Sequence, residues 1–139
     1  MSRVIGIDYG KKRVGIAVTD TLRIVATPLG TVFSHEIYKF LTEYFKSEDV
    51  DTIVVGLPKQ MDNTESESMN YITPFVKALK RKFPDKSIEM YDERFTSVLA
   101  HKALIEGGAK KHDRQNKALI DAMSATIILN SWLESKRNY

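Results

Sequence analysis

The chain has 139 residues, 42% hydrophobic and 28% charged, which fits a single globular domain over 1–139 with a proper core. Cysteine is absent, which excludes disulfides, thiol nucleophiles and cysteine-ligated metals and is compatible with a reducing cytoplasm. Net charge is only +3, from 21 basic and 18 acidic side chains. The basic residues nevertheless cluster at Lys11–Arg13, Lys77–Lys86 and Lys110–Lys117, a distribution that suits a polyanionic partner. Any one such cluster is more often just a solvated face. The opening residues lack a basic start followed by a long apolar run, so no secretory signal is expected. The most apolar run, Ala118–Leu133, is interrupted by Asp121, Ser124 and Asn130 and is too short and polar to span a membrane.

Residues 3–20 read as two β-strands joined by a short basic turn, with Asp8 at the end of an otherwise apolar first strand. Leu22–Val25 and Gly30–Phe33 predict a third strand with an irregular return, punctuated by Pro28 and Gly30. Ser34 is placed to N-cap a helix over 35–47, where Ile37, Phe40, Leu41, Tyr44 and Phe45 fall on one face. Thr52–Leu57 is a β-branched run without alternation, as in a parallel strand covered on both faces, and Pro58 stops it. A polar loop over 59–68 leads to a second helix with the stripe Met69, Ile72, Phe75, Val76, Leu79 and Phe83. Pro74 predicts a kink there, or a restart capped by Thr73. Ser87–Tyr91 reads as another short buried strand. A helix from Thr96 or Ser97 to about Ile105 ends at Gly107-Gly108, a basic loop covers 109–114, and a long helix runs from about Arg114 to Ser135. The sum is an α/β fold with a mixed sheet, and ligands of such sheets bind outside the carboxyl ends of the strands.

Two further carboxylates draw attention. Glu93 follows a strand end directly, and Asp121 is the one ionisable side chain between Ala118 and Leu133. Taken alone, Asp121 reads as an exposed residue paired with Lys117. If the last helix packs on the sheet, it brings Asp121 toward Asp8 and Glu93. Carboxylates so gathered repel one another unless a cation joins them. Oxygen donors without His or Cys point to Mg²⁺ or Mn²⁺, one or two ions, and to displacement at phosphorus.

Four segments then resemble a known family. They are Gly6-Ile-Asp8-Tyr-Gly10-Lys-Lys-Arg13-Val-Gly15 with its continuation to Asp20, Val54-Val-Gly56-Leu-Pro58, Asp92-Glu93-Arg94-Phe-Thr96-Ser97, and Lys117-Ala-Leu-Ile-Asp121-Ala. In order and spacing they resemble the YqgF family of RNase H-like nucleases, described as pre-16S rRNA nucleases and as Holliday junction resolvases. The resemblance implies an RNase H-like fold, a five-stranded mixed sheet flanked by helices. It implies Asp8, Glu93 and Asp121 as the catalytic, metal-binding set, a cytoplasmic location and maturation of the 5′ end of 16S rRNA. One departure is the loop after Pro58: many members are glycine-rich there, whereas this chain reads Met61-Asp62-Asn63-Thr64.

Lys11, Lys12, Arg13 and Arg94 are the candidate phosphate contacts. Plain solvation competes for the first three, and pairing with a carboxylate competes for Arg94. Asp92 faces away from Glu93 by strand alternation and reads as structural. His35, His101 and His112 share no ligand spacing. The segment Gly6–Lys12 fails the phosphate-loop pattern, with three residues between its glycines and Lys12 where Ser or Thr is needed. An actin-like ATPase uses a similar Asp-x-Gly hairpin but needs two lobes. The expected partners are structured RNA such as precursor rRNA, or branched DNA, for a monomer or weak homodimer. A non-catalytic nucleic-acid-binding module is the alternative, and it would be expected to have lost one of the three acids.

Overall fold

A computed structural model describes residues 2–57, 69–92 and 117–137, with side chains of the last segment described over 120–136. The strands are β1 (Arg3–Tyr9), β2 (Arg13–Thr19), β3 (Ala26–Phe33), β4 (Val50–Leu57) and β5 (Ser87–Asp92). The helices are α1 (Ile37–Ser47), α2 (Met69–Lys82) and α3 (Lys117–Arg137), and a single 3₁₀ turn (Ser34–Glu36) precedes α1. The sheet runs β3-β2-β1-β4-β5. The first three strands form an antiparallel meander, and β1, β4 and β5 are mutually parallel. This is the five-stranded mixed sheet expected from the sequence.

Side-chain alternation divides the core into two layers. Ile5, Ile7, Val14, Ile16, Ile53 and Val55 face α1 and α2, where Ile37, Leu41, Ile72, Phe75 and Leu79 close over them. Val4, Ala17 and Val54 face the other way, against Ala125, Ile128, Leu129 and Trp132 of α3. Side chains on this second face of the sheet are small, so α3 lies close. A Cβ at Gly6 would stand 2.8 Å from the Leu129 Cβ and 3.2 Å from the Ala125 carbonyl oxygen. A Cβ at Gly15 would overlap the Asp121 carbonyl group and stand 3.0 Å from the Ala122 amide nitrogen. Burial of Ile128 and Leu129 stabilises this docking by about 1.5–3 kcal/mol each. Polar ties help fix its position: the Ala26 amide donates to Asn130 Oδ1 (2.9 Å), and Trp132 Nε1 donates to Glu89 Oε1 (3.3 Å).

Four local expectations need correction. The third strand is one continuous segment through Pro28 and Gly30, and Leu22–Val25 is a turn before it. Pro28 is tolerated because β3 is an edge strand, and the register shift opposite Ile16 and Ala17 makes Leu29 the extra residue of a bulge. The turn is organised by Asp20, whose carboxylate accepts the amides of Val25, Ile24 and Leu22. Those bonds, the Val25 amide foremost, hold it below the usual carboxylate range. Ser34 does not cap α1 through its side chain; its hydroxyl donates to the Gly10 carbonyl at 2.7 Å. Pro74 sits inside α2 near its described start, so the helix does not restart there, and the carbonyl deprived of its helical donor is that of exposed Asn70. β5 is half-exposed rather than buried, with Met90 48% exposed, because it pairs with β4 at the margin of the sheet. The expected loop 59–68, the helix from Thr96 or Ser97 to Ile105 and the basic loop 109–114 lie outside the described residues.

Candidate active site

Alternation along β1 turns Val4, Gly6 and Asp8 toward α3. Asp8 is paired across the sheet with Gly15 of β2. The backbone of Asp121 rests on that same glycine. One residue without a side chain therefore seats the first turns of α3 beside the carboxyl end of β1, and the two carboxylates come together. The electrostatic consequence falls on Asp8. Burial among the strands and α3, and then the negative charge of Asp121, push its pKa from 3.8 up to about 6. Among the described residues no hydrogen-bond donor reaches the Asp8 carboxylate.

Asp121 is better served. Arg13, two residues before Gly15 and so on the same face of β2, donates from Nε to Asp121 Oδ2 at 2.8 Å. The two side chains are 33% and 22% exposed, so solvent screens the pair only in part. Among the described side chains the partner of Asp121 is Arg13, 108 positions away; the side chain of Lys117, the partner suggested by the sequence, lies outside them. Among the described side chains, two carboxylates and one guanidinium leave the cluster with a deficit of positive charge once Asp8 ionises. Hard oxygen donors with a net negative charge match a divalent cation such as Mg²⁺ or Mn²⁺. Asp8 and Asp121 are the two candidate ligands within the described residues, which contain no group of three or more such side chains. Glu93 and Arg94 lie outside the described residues. β5 ends one position before Glu93, at Asp92, whose register partner is Leu57 of β4.

Lys11 and Lys12 stand exposed in the turn between β1 and β2. That turn is pinned at both ends. The Gly10 amide donates to the Arg13 carbonyl (2.9 Å), and the Ser34 amide donates to the Lys12 carbonyl (2.9 Å). The basic side chains thus project from a braced loop beside Asp8. The role of Ser34 in that bracing was not read from the sequence, because a Ser before a helix looks like a cap. His35 is exposed, with Nε2 3.7 Å from Glu36 Oε1, in line with the surface position expected; His101 and His112 lie outside the described residues. Trp132 is a packing residue, only 7% exposed.

A protein from Bacteroides fragilis named "Putative pre-16S rRNA nuclease" is 59% identical over 137 residues, 99% of each chain. Proteins of the same name from Phocaeicola vulgatus and Bacteroides thetaiotaomicron are 59% and 58% identical, again over 99% of each chain. Among solved structures, Thermus thermophilus RuvC in complex with Holliday junction substrate superposes with a TM-score of 0.58 at 17% identity, covering 99% of this chain and 96% of that one. At that identity the likeness speaks for the fold, which is RNase H-like. No described helix is long and apolar enough to cross a membrane. The model of the RuvX family, described as "Holliday junction resolvase", matches residues 2–135. The chain belongs to this RuvX family, the YqgF family that its four motifs resemble.

Proposed function

We propose that the chain is a divalent-metal-dependent nuclease that processes the 5′ end of pre-16S rRNA, acting in the cytoplasm as a single-domain monomer or weak homodimer. The observation that carries this reading is the meeting of Asp8 and Asp121 across Gly15, with no donor to Asp8 among the described residues and its pKa raised to about 6. Two like charges gathered in a half-buried place cost stability, and a cation between them offsets that cost. Asp8 and Asp121 would hold Mg²⁺ or Mn²⁺, one or two ions, with Glu93 as the third ligand. When bound, the metal would supply Lewis-acid activation of a water nucleophile and neutralise charge at the scissile phosphate. Arg13 stays beside the site through its bond to Asp121, and Lys11 and Lys12 with Arg94 hold the flanking phosphates. Full-length similarity to relatives named for pre-16S rRNA supports RNA as the substrate.

A second reading is cleavage of four-way DNA junctions, favoured by the description of the matching family. Both are tested together. Purified protein is incubated with a pre-16S rRNA 5′ fragment and with a four-way DNA junction, with Mn²⁺ or with EDTA, alongside Asp8→Asn. The expected outcome is Mn²⁺-dependent cleavage of the RNA that Asp8→Asn abolishes. Cleavage of the junction alone selects the second reading. Undiminished cleavage by Asp8→Asn, or in EDTA, refutes the metal mechanism.

A further inference from the structure

Two clefts open beside the basic turn, and neither is needed to hold the carboxylates. One, of about 380 Å³, lies against Arg13, Thr31, Phe33 and Glu36. The other, of about 560 Å³, is lined by Tyr9, Lys11, Lys12, Phe33, His35 and Tyr38, with Ser34 at its floor. Phe33 lines both. It is also the cross-strand partner of Arg13, the residue bonded to Asp121. The smaller cleft therefore begins at the Arg13 that bonds Asp121, and the larger continues past Phe33 to Tyr9 and Tyr38, on the α1–α2 side of the sheet.

The chemistry of the larger cleft is specific in kind. Phe33 is an aromatic ring 57% exposed at the end of an edge strand, where no packing demands it. His35 lies parallel to it, with ring centroids 5.7 Å apart and planes within 9°. The two rings are near-parallel and both largely exposed, so the stack offers an aromatic face to solvent. Lys11 and Lys12 stand opposite, and among the described residues neither pairs with a carboxylate. Glu36 is the one carboxylate lining either cleft among the described residues, and it lies on the Arg13 side rather than the lysine side. An aromatic face beside paired cations matches a nucleotide of a single strand, with the base on the rings and the phosphate on the ammonium groups. A base already paired in a duplex keeps its faces stacked on its neighbours and cannot use such a surface.

We propose that the Phe33–His35 pair is a stacking platform for an unpaired nucleobase flanking the cleaved phosphate, whose own phosphate rests on Lys11 and Lys12. The inference rests on the nucleic-acid reading above and adds the kind of strand the protein takes. β3 lies two strands from β1, about 10 Å at about 4.8 Å per strand. That span is about three nucleotides at the stacked rise of roughly 3.4 Å. The substrate then has an unpaired segment next to the cut, and a fully paired duplex is a poor ligand.

The test is fluorescence anisotropy in EDTA, where no cleavage intervenes. The probes are a labelled 12-nucleotide single-stranded RNA of mixed sequence and the blunt duplex formed from it. Wild type, Phe33→Ala, Phe33→Trp, His35→Ala and the double variant Lys11→Ala/Lys12→Ala are compared, each first checked for an unchanged thermal midpoint. Phe33→Ala is expected to weaken single-strand binding about 5- to 30-fold, equivalent to about 1–2 kcal/mol of stacking, and to leave duplex binding within about twofold. Phe33→Trp restores it, and His35→Ala gives a smaller loss. The lysine variant flattens the salt dependence, whereas Phe33→Ala leaves its slope unchanged. Single-strand binding undiminished in Phe33→Ala, or an equal loss for strand and duplex, overturns the platform while the nuclease reading stands. Failure of wild type to bind either probe overturns both.

Discussion

Replacing Gly15 by Ala tests whether the approach of α3 sets the site. The added Cβ would overlap the Asp121 carbonyl group and stand 3.0 Å from the Ala122 amide nitrogen. These are helix backbone atoms, which cannot swing aside as a side chain does. Overpacking of this kind costs about 1–3 kcal/mol, and an immovable neighbour puts Gly15→Ala at the upper end, about 3 kcal/mol. With an unfolding entropy of about 2.1 cal/mol/K per residue, the 139 residues give about 0.3 kcal/mol/K, so the melting midpoint falls by about 10 °C. The displaced α3 also carries Asp121 away from Asp8, so the Asp8 titration, followed by NMR, moves back toward the ordinary carboxylate range. Gly6→Ala is the control. Its Cβ meets Leu129 Cβ at 2.8 Å and the Ala125 carbonyl oxygen at 3.2 Å, one to two turns beyond Asp121. It should lower the midpoint and leave the Asp8 titration close to wild type. A Gly15→Ala protein that melts within about 2 °C of wild type, with Asp8 still titrating near 6, would refute the reasoning.

Asp8→Asn should stabilise the metal-free protein at neutral pH. The native state keeps a proton on Asp8 that the unfolded chain has released between about pH 4 and 6, so wild-type stability falls as pH rises through that window and levels off above it. The displacement from 3.8 to about 6 is worth at most about 3 kcal/mol. Melting curves in EDTA should show the variant ahead at pH 7.5 and level with wild type below pH 4; a variant less stable at pH 7.5 contradicts the burial argument. Arg13→Gln removes the cation beside Asp121 and should tighten Mn²⁺ binding roughly five- to tenfold by calorimetry, as expected for about 1 kcal/mol from a partly exposed charge. Weaker Mn²⁺ binding would mean that Arg13 organises the carboxylates rather than competing for them. Asn130→Ala leaves the buried Ala26 amide unbonded and should cost about 1–3 kcal/mol in urea unfolding. An unchanged unfolding midpoint would show that this tie between β3 and α3 is dispensable.

Much of the architecture was legible because its signals are local. Asp8 stood out as a charge at the end of an apolar strand, and the stripes of α1 and α2 and the run of β4 follow from side-chain period alone. What escaped depends on neighbours distant in sequence. Pro28 and Gly30 look like strand breakers until β3 is known to be an edge strand with a bulge, where a missing amide and an extra residue are tolerated. Arg13 and Asp121 are 108 positions apart, so no spacing rule pairs them, while Lys117 was an obvious local candidate. Phe33 reads as one more strand aromatic until its exposure is seen. Glu93 and Arg94 lie outside the described residues, so the third carboxylate rests on its motif.

The seating of Asp121 on Gly15 also has a consequence in time. Synthesis proceeds from the amino end, so all five strands leave the ribosome before α3 does. The Asp8–Asp121 pair cannot exist until α3 has docked on a finished sheet. Until that helix docks, a chain whose described strands are already paired has Asp8 without Asp121 beside it, so the carboxylate pair is the last feature of the fold to form.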